Sequence, residues 1–350
     1  MMSLVPFGLP AMAEIRPVLR AAAVDVGLED APPTNQRPTG DDAVRVQIFL
    51  DEQMFGPGVI DGKPGRFTEQ AAMAWNERHG HPLDSWLELN TAARRAVPNA
   101  FAVAVVPEVA SEWVDTSLPT SRAEQAKRRR MNYRSIGEFM AERYHCNASY
   151  LIELNGAAKI RNLKPRDTLM VPNVTPFKIE DIGSVSHERE EVLSDRYVVV
   201  DTKRNQLRIF QGRPRAVMVI EEDADRGVSA ALQPNEALIA SFPITPGQER
   251  FIQYGAWELR NMVEMPWWRF DQQFLDTGRR SENALNIPPG PNSPIGVIWC
   301  GTSRSGIGLH GTDAPETIGR ARSAGCIRLA NWDAIRLPQL IRPGATVEIR

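Results

Sequence analysis

The sequence predicts a multidomain α+β chain that closes with a mostly-β domain. Three observations predict it. Near the N-terminus apolar residues recur at helical spacing: Val44, Ile48 and Phe49, then Ala71, Ala72 and Trp75. From Tyr197 the pattern changes to short β-rich runs broken by turn residues. Stretches with no clear period precede these regions, Pro-rich at 31–40 before the first and charged at 178–195 before the second. The resulting division is 1–40, 41–97, 98–130, 131–175, 176–195 and 196–350.

Taken in order, Met1 to Ala13 is apolar, and Ala11-Met12-Ala13 before Glu14 has the small-residue pattern of a signal-peptidase site. No Lys or Arg precedes it, so the segment reads as an incomplete signal or as an ordinary terminus, followed by a linker. In 41–97 two helices flank the turn-rich loop Gly56 to Phe67, and Thr68 is the expected N-cap of the second. Phe101 to Val106 is a short apolar run, and Lys127 to Arg130 a basic run expected on a solvated linker. In 131–175, Ile136, Phe139, Met140 and Tyr144 fit one helix face and Leu151, Ile152 and Leu154 a second. Asn155-Gly156 ends that helix, and Leu163 to Asn173 reads as a turn and a strand. Beyond Tyr197 come strands 198–201 and 206–210 joined at Lys203-Arg204-Asn205, a third strand at 216–220, a helix at 334–340 and a closing strand at 345–349. The aromatic stretch between, with Met265-Pro266-Trp267-Trp268, is expected to pack over the sheet; a wall or lid of a cleft is the alternative.

Composition narrows the function. The 350 residues are 42% hydrophobic and 24% charged with net charge −2, which supplies no basic footprint for nucleic acid. No apolar run reaches the roughly 20 residues of a membrane span. The three cysteines, Cys146, Cys300 and Cys326, leave at least one thiol unpaired, and whether Cys146 and Cys300 pair stays open. His79, His81 and His187 lack the companion ligands of a metal site.

The chemistry concentrates in residues 310–328. His310-Gly311-Thr312 precedes Ser323-Ala324-Gly325-Cys326-Ile327-Arg328, an imidazole and a thiol each flanked by glycine. A thiol becomes a strong nucleophile when an adjacent base takes its proton. Backbone N–H groups turned at Gly325 can serve a developing oxyanion. Arg328, two residues on, shares a strand face with Cys326 and presents a carboxylate-binding fork.

These segments resemble the L,D-transpeptidase catalytic domain, the YkuD-like family, with Ala324 where many members carry a second histidine. The likeness extends to Pro288 through Trp299, a Pro- and Gly-rich entry into the strand before the histidine, and covers about 197–350. It implies a Cys326 nucleophile, a His310 base oriented by a backbone carbonyl such as that of Gly311, and supporting roles for Arg328, Ser323, Gly325 and Thr312. It implies peptidoglycan stem peptides as substrate, no cofactor, and an exported protein of the periplasm or cell envelope. Cross-linking through a thioester is the leading expectation. The alternatives are L,D-carboxypeptidase or other thiol hydrolase activity on wall peptides, or a non-catalytic wall-binding protein. Gln47, Asp61-Gly62, Gly65 to Thr68 and Trp75 resemble a small helical peptidoglycan-binding domain; Asp61-Gly62 is read as fixing the loop rather than touching a ligand. Residues 131–175 resemble a LysM glycan-binding module of βααβ form, without its usual opening strand motif.

Overall fold

The computed structural model describes residues 22–23, 33–213, 236–249, 251–277, 279–320 and 325–350. Ala22–Ala23 (β1) is a short edge strand. Three helices follow, α1 at Gly40–Glu52, α2 at Arg66–His79 and α3 at Leu87–Ala96. The loop between α1 and α2 is fixed by one buried side chain. Gln47 Oε1 accepts from the backbone N–H of Asp61 (3.0 Å) and Gly62 (2.9 Å), and its Nε2 donates to Asp61 Oδ1 and Thr68 Oγ1. Asp61-Gly62 is therefore loop architecture. Helix α2 begins two residues before the expected cap: Gly65 holds the N-cap position, and Thr68 lies buried within the first turn.

The second region is a small sheet covered by helices. Phe101–Val105 (β2) pairs antiparallel with Thr168–Pro172 (β3), Val103 opposite Met170, and β1 adds to the outer edge of β2. Between them lie α4 at Arg122–Gln125, α5 at Ile136–Arg143, α6 at Ala148–Asn155 and α7 at Ala157–Arg161. Ser135 Oγ caps α5 and Asn147 Oδ1 caps α6, each accepting a backbone N–H three residues on. Gly156, at φ +86°, ends α6 as the sequence predicts. The opening strand of this region thus falls inside 98–130, where the sequence suggested a linker; its partner lies more than sixty residues away, beyond the reach of local patterning.

The third region contains β4 (Ser186–His187), α8 (Glu191–Ser194), β5 (Tyr197–Asp201), β6 (Gln206–Phe210), β7 (Leu238–Pro243), β8 (Gly255–Glu264), β9 (Trp268–Phe270), α9 (Gln272–Thr277) and β10 (Leu285–Ile287). Then come β11 (Ile298–Thr302), β12 (Gly308–His310), β13 (Ile327–Arg328), α10 (Asn331–Ala334), α11 (Leu337–Leu340) and β14 (Thr346–Ile349). The expected third strand at 216–220 lies outside the described residues, and the expected helix at 334–340 is two short turns. The main sheet runs β13-β12-β11-β8-β14-β5-β6-β7, with β4 also on β8. It curls until its ends meet: Thr245, just past β7, exchanges both backbone hydrogen bonds with Arg328 of β13, at 2.9 and 3.0 Å. Inside the curl Val198, Leu207, Phe242, Cys300, Leu309, Ile327 and Val347 form a core.

The regions are not beads on a string. A second core joins Ile48, Trp75, Ala102, Phe139 and Leu151 to Val199, Phe210, Val297 and Trp332, so the outer face of β5 is buried by the preceding regions. Burying a large apolar side chain stabilises by about 1.5–3 kcal/mol, and this shared core contains dozens. Asp51 of α1 anchors the seam. It accepts from Arg336 Nη2 at 2.6 Å and pairs with His145 Nδ1 at 3.0 Å, while the His145 ring stacks on Trp332. Burial alone would raise the Asp51 carboxyl, but the Arg336 and His145 charges hold it far below the usual range. Cys146 and Cys300 are both free and belong to different cores, so they do not pair.

Of the aromatic stretch, Trp267 is 61% exposed. Trp268 and Phe270, on the β9–β10 ribbon, pack on Leu118 and Met131 beneath the Arg122 guanidinium. They cover the second region, not the main sheet as expected, because the ribbon departs from the sheet after Met265, which has φ +47°.

Candidate active site

Strand register assembles the site. His310 pairs with Trp299 of antiparallel β11 on one side and with Arg328 of parallel β13 on the other. Strand alternation then sets Trp299, His310 and Arg328 on one face and drives Cys300, Leu309 and Ile327 into the inner core. The same register carried back one residue sets Cys326 opposite Gly308. A Cβ at Gly308 would lie 2.7 Å from the Trp299 indole, so the glycine is what lets that ring lie over the strand. The ring also stacks on His310, centroids 5.7 Å apart.

The imidazole is held in one tautomer. His310 Nδ1 lies 2.6 Å from the carbonyl oxygen of Gly311, which can only accept. The proton is therefore on Nδ1, and Nε2 presents its lone pair. Burial pushes the His310 pKa down to about 4; the Gly311 carbonyl opposes this and the Arg328 charge adds to it. At neutral pH the ring is an uncharged base. Burial likewise pushes the Cys326 thiol up to about 11, partly offset by a backbone hydrogen bond from Gly308. Its Sγ donates to the Gly306 carbonyl at 3.3 Å. The thiol and the imidazole are thus both uncharged at neutral pH.

The loops around the pair are tightly seated. Gly325 has φ +140°, a conformation side-chain-bearing residues rarely adopt, and its backbone lies against Gly247 so closely that a Cβ there would approach to 2.2 Å. Phe251 covers the other side of Gly325. Thr312 donates its N–H to Asn331 Oδ1 at 3.1 Å, and its own hydroxyl accepts from Ala314 N. Arg328 is partly buried, which lowers its pKa, while the Asp313 carboxylate favours its charge. From α2, Phe67 presses on the segment between histidine and cysteine: a Cβ at Gly319 would lie 2.2 Å from its ring.

The structure therefore brings together Cys326, His310, Gly311, Thr312, Gly325 and Arg328; Ser323 and Ala324 lie outside the described residues. Sequence reasoning missed Trp299, Gly306, Asn331 and Phe67. Only Trp299 carried a local signal, since it ends the Pro- and Gly-rich segment leading into the strand. The others are set by contacts distant in sequence. Among the described residues no group of three or more His, Cys, Asp or Glu side chains is arranged to hold a metal ion.

Residues 195–349 match the family model of the YkuD L,D-transpeptidase catalytic domain. A stretch of 65 residues is 40% identical to YkuD of Bacillus licheniformis, covering 19% of this chain and 39% of that protein. A stretch of 70 residues is 39% identical to YqjB of Bacillus subtilis strain 168, covering 18% of this chain and 40% of that protein. Both names mark candidate L,D-transpeptidases, and the chain spans about two fifths of the length of these curated relatives. Among solved structures it is similar to L,D-transpeptidase 3 from Mycobacterium tuberculosis, at TM-score 0.30 and 10% identity over 54% of this chain and 76% of that one. An L,D-transpeptidase from Mycobacterium smegmatis gives TM-score 0.29 and 12% identity over 45% of this chain and 58% of that one.

Proposed function

We propose that this chain, on the premise of its YkuD catalytic domain, is an L,D-transpeptidase that cross-links peptidoglycan stems through a thioester on Cys326. The observation that carries the reading is the Nδ1–H···O=C bond from His310 to Gly311, which leaves Nε2 as the one ring acceptor for a thiol proton. His310 Nε2 takes that proton as Cys326 Sγ attacks the carbonyl of the bond joining the L-centre of a stem diamino acid to its terminal D-alanine. Backbone N–H groups at Gly325 and Cys326 stabilise the tetrahedral oxyanion. The C–N bond breaks, the leaving amine of D-alanine takes the proton from His310, and the thioester remains. An acceptor amine then attacks, His310 takes its proton and returns it to sulfur, and the new amide is the cross-link. Arg328 grips a substrate carboxylate beside the reacting bond, and Thr312 fixes the histidine loop. Ser323 orients the loop before the cysteine. The helical N-terminal region and the small sheet with its covering helices, read as peptidoglycan-binding and LysM-like modules, hold the wall polymer outside the cytoplasm.

The test is intact-mass measurement after incubation with a carbapenem, whose strained lactam stands in for the acyl donor. One adduct, absent in Cys326→Ala, is expected. Incubation with a tetrapeptide stem then separates activities: a cross-linked dimer supports transfer, and tripeptide alone assigns hydrolysis. No adduct and no product would overturn the reading.

A further inference from the structure

The Pro- and Gly-rich segment before the histidine strand is sewn onto the second region. Met131 N donates to Pro289 O at 2.8 Å and Asn292 N to Met131 O at 3.0 Å. The Asn292 amide bonds Asn132 O and Glu138, and Arg134 donates to its oxygen. Behind this seam lies a buried chain of side chains. Tyr133 donates its hydroxyl to Glu142 Oε2. Glu142 Oε1 accepts from Asn331 Nδ2 at 2.9 Å. Asn331 Oδ1 then accepts from two backbone groups, Val297 N at 3.2 Å and Thr312 N at 3.1 Å. All three side chains are at least nine-tenths buried.

Asn331 is wedged as well as bonded. A Cβ at either Gly296 or Gly311 would lie 2.1 Å from its Oδ1, so both loops close directly on this oxygen. Gly311 is the residue whose carbonyl fixes His310 Nδ1. A shift of the Asn331 amide displaces Gly311 and with it the imidazole. The Asn331 Nδ2 has one further acceptor, Pro291 O at 3.3 Å, which belongs to the segment the second region itself holds.

We propose that Glu142, held by Tyr133, is a positioning residue for the catalytic histidine: through Asn331, a carboxyl outside the catalytic domain sets the placement of the Gly311–Thr312 loop. It deepens the site of the transpeptidase reading, so its test carries one readout that needs no reaction.

In the full chain, Glu142→Met fills the same volume without an acceptor, and Glu142→Gln keeps an oxygen for Asn331 and a donor for Tyr133. Two quantities are read: hydrogen exchange of the Thr312 and Val297 amides, and the carbapenem acylation rate of Cys326. For Glu142→Met, exchange at both amides is expected to rise at least tenfold and acylation to slow at least tenfold, with far-UV circular dichroism unchanged. Glu142→Gln should stay within twofold of wild type in both. Native exchange in Glu142→Met overturns the proposal, as does a Glu142→Gln variant equally impaired. If Glu142→Met does not fold, Tyr133→Phe replaces it; a rise of about fivefold in Thr312 exchange is expected, and one within twofold sinks the idea. A wild type that is not acylated defeats the transpeptidase reading alone, and the amide exchange still decides the role of Glu142.

Discussion

The neutral resting pair makes a sharp prediction about pH. If His310 acts as an uncharged base with a pKa near 4, the acid limb of Cys326 acylation belongs there and not at the ordinary imidazole value of 6.5. At pH 5.5 a base with a pKa of about 4 is ~97% unprotonated, whereas one titrating at about 6.5 is only ~9% so. The rate should therefore be nearly flat from about pH 5 to pH 10, because the thiol stays protonated until about 11. The assay is carbapenem acylation by stopped-flow across that range, with ultraviolet thiolate absorbance recorded in parallel. His310→Gln should lose about 10²- to 10⁴-fold across the plateau. An acid limb between pH 6 and 7 would refute the reasoning. So would thiolate absorbance at pH 7 that vanishes in Cys326→Ala, since it would mean a preformed ion pair. The same shift links to stability. The folded pKa of His310 lies below its unfolded one, so the unfolded chain takes up the proton first. Stability present above about pH 6.5 is lost as pH falls, by about 3 kcal/mol at pH 4, and His310→Gln should abolish that part of the slope.

Two further substitutions test the supports. Gly319→Ala places a methyl 2.2 Å from the Phe67 ring at a residue with φ +76°, and should cost about 2–4 kcal/mol in denaturant unfolding. Phe67→Ala in the same chain should recover part of it, and strict additivity would show that the two do not touch. Gln47→Ala strands the N–H groups of Asp61 and Gly62 and should cost about 1–3 kcal/mol in thermal melts, with Gln47→Glu no better, because its second oxygen faces the Asp61 carboxylate that Gln47 Nε2 donates to.

What the sequence made legible was local chemistry. The segments His310-Gly311 and Gly325-Cys326 stood out because each is short and locally patterned, and parallel strand pairing sets them on adjacent strands. The β5–β6 hairpin was legible because Asn205, at φ 56°, is a turn residue that tolerates the left-handed region. Asp61-Gly62 was read as loop architecture, and the Gln47 side chain proves to be what fixes it. By contrast β2 was invisible as the partner of β3, since nothing in Phe101–Val105 specifies a mate more than sixty residues on. The closure of the sheet at Thr245 and Arg328 is equally non-local. The Glu142–Asn331 bond escaped notice for a different reason: a glutamate on an amphipathic helix reads as a solvated charge unless its burial is known. Here burial pushes its carboxyl up to about 8.

The shared core has a consequence for the order of events when the chain is made. Synthesis delivers the helical region and the small sheet first, with the surface destined for β5 and Trp332 still uncovered. Cys326 emerges long after them, and the Gly311–Thr312 loop gains its buttress only when Asn331 reaches Glu142. A polypeptide stalled before β5 bears that sticky apolar surface, a target for quality control.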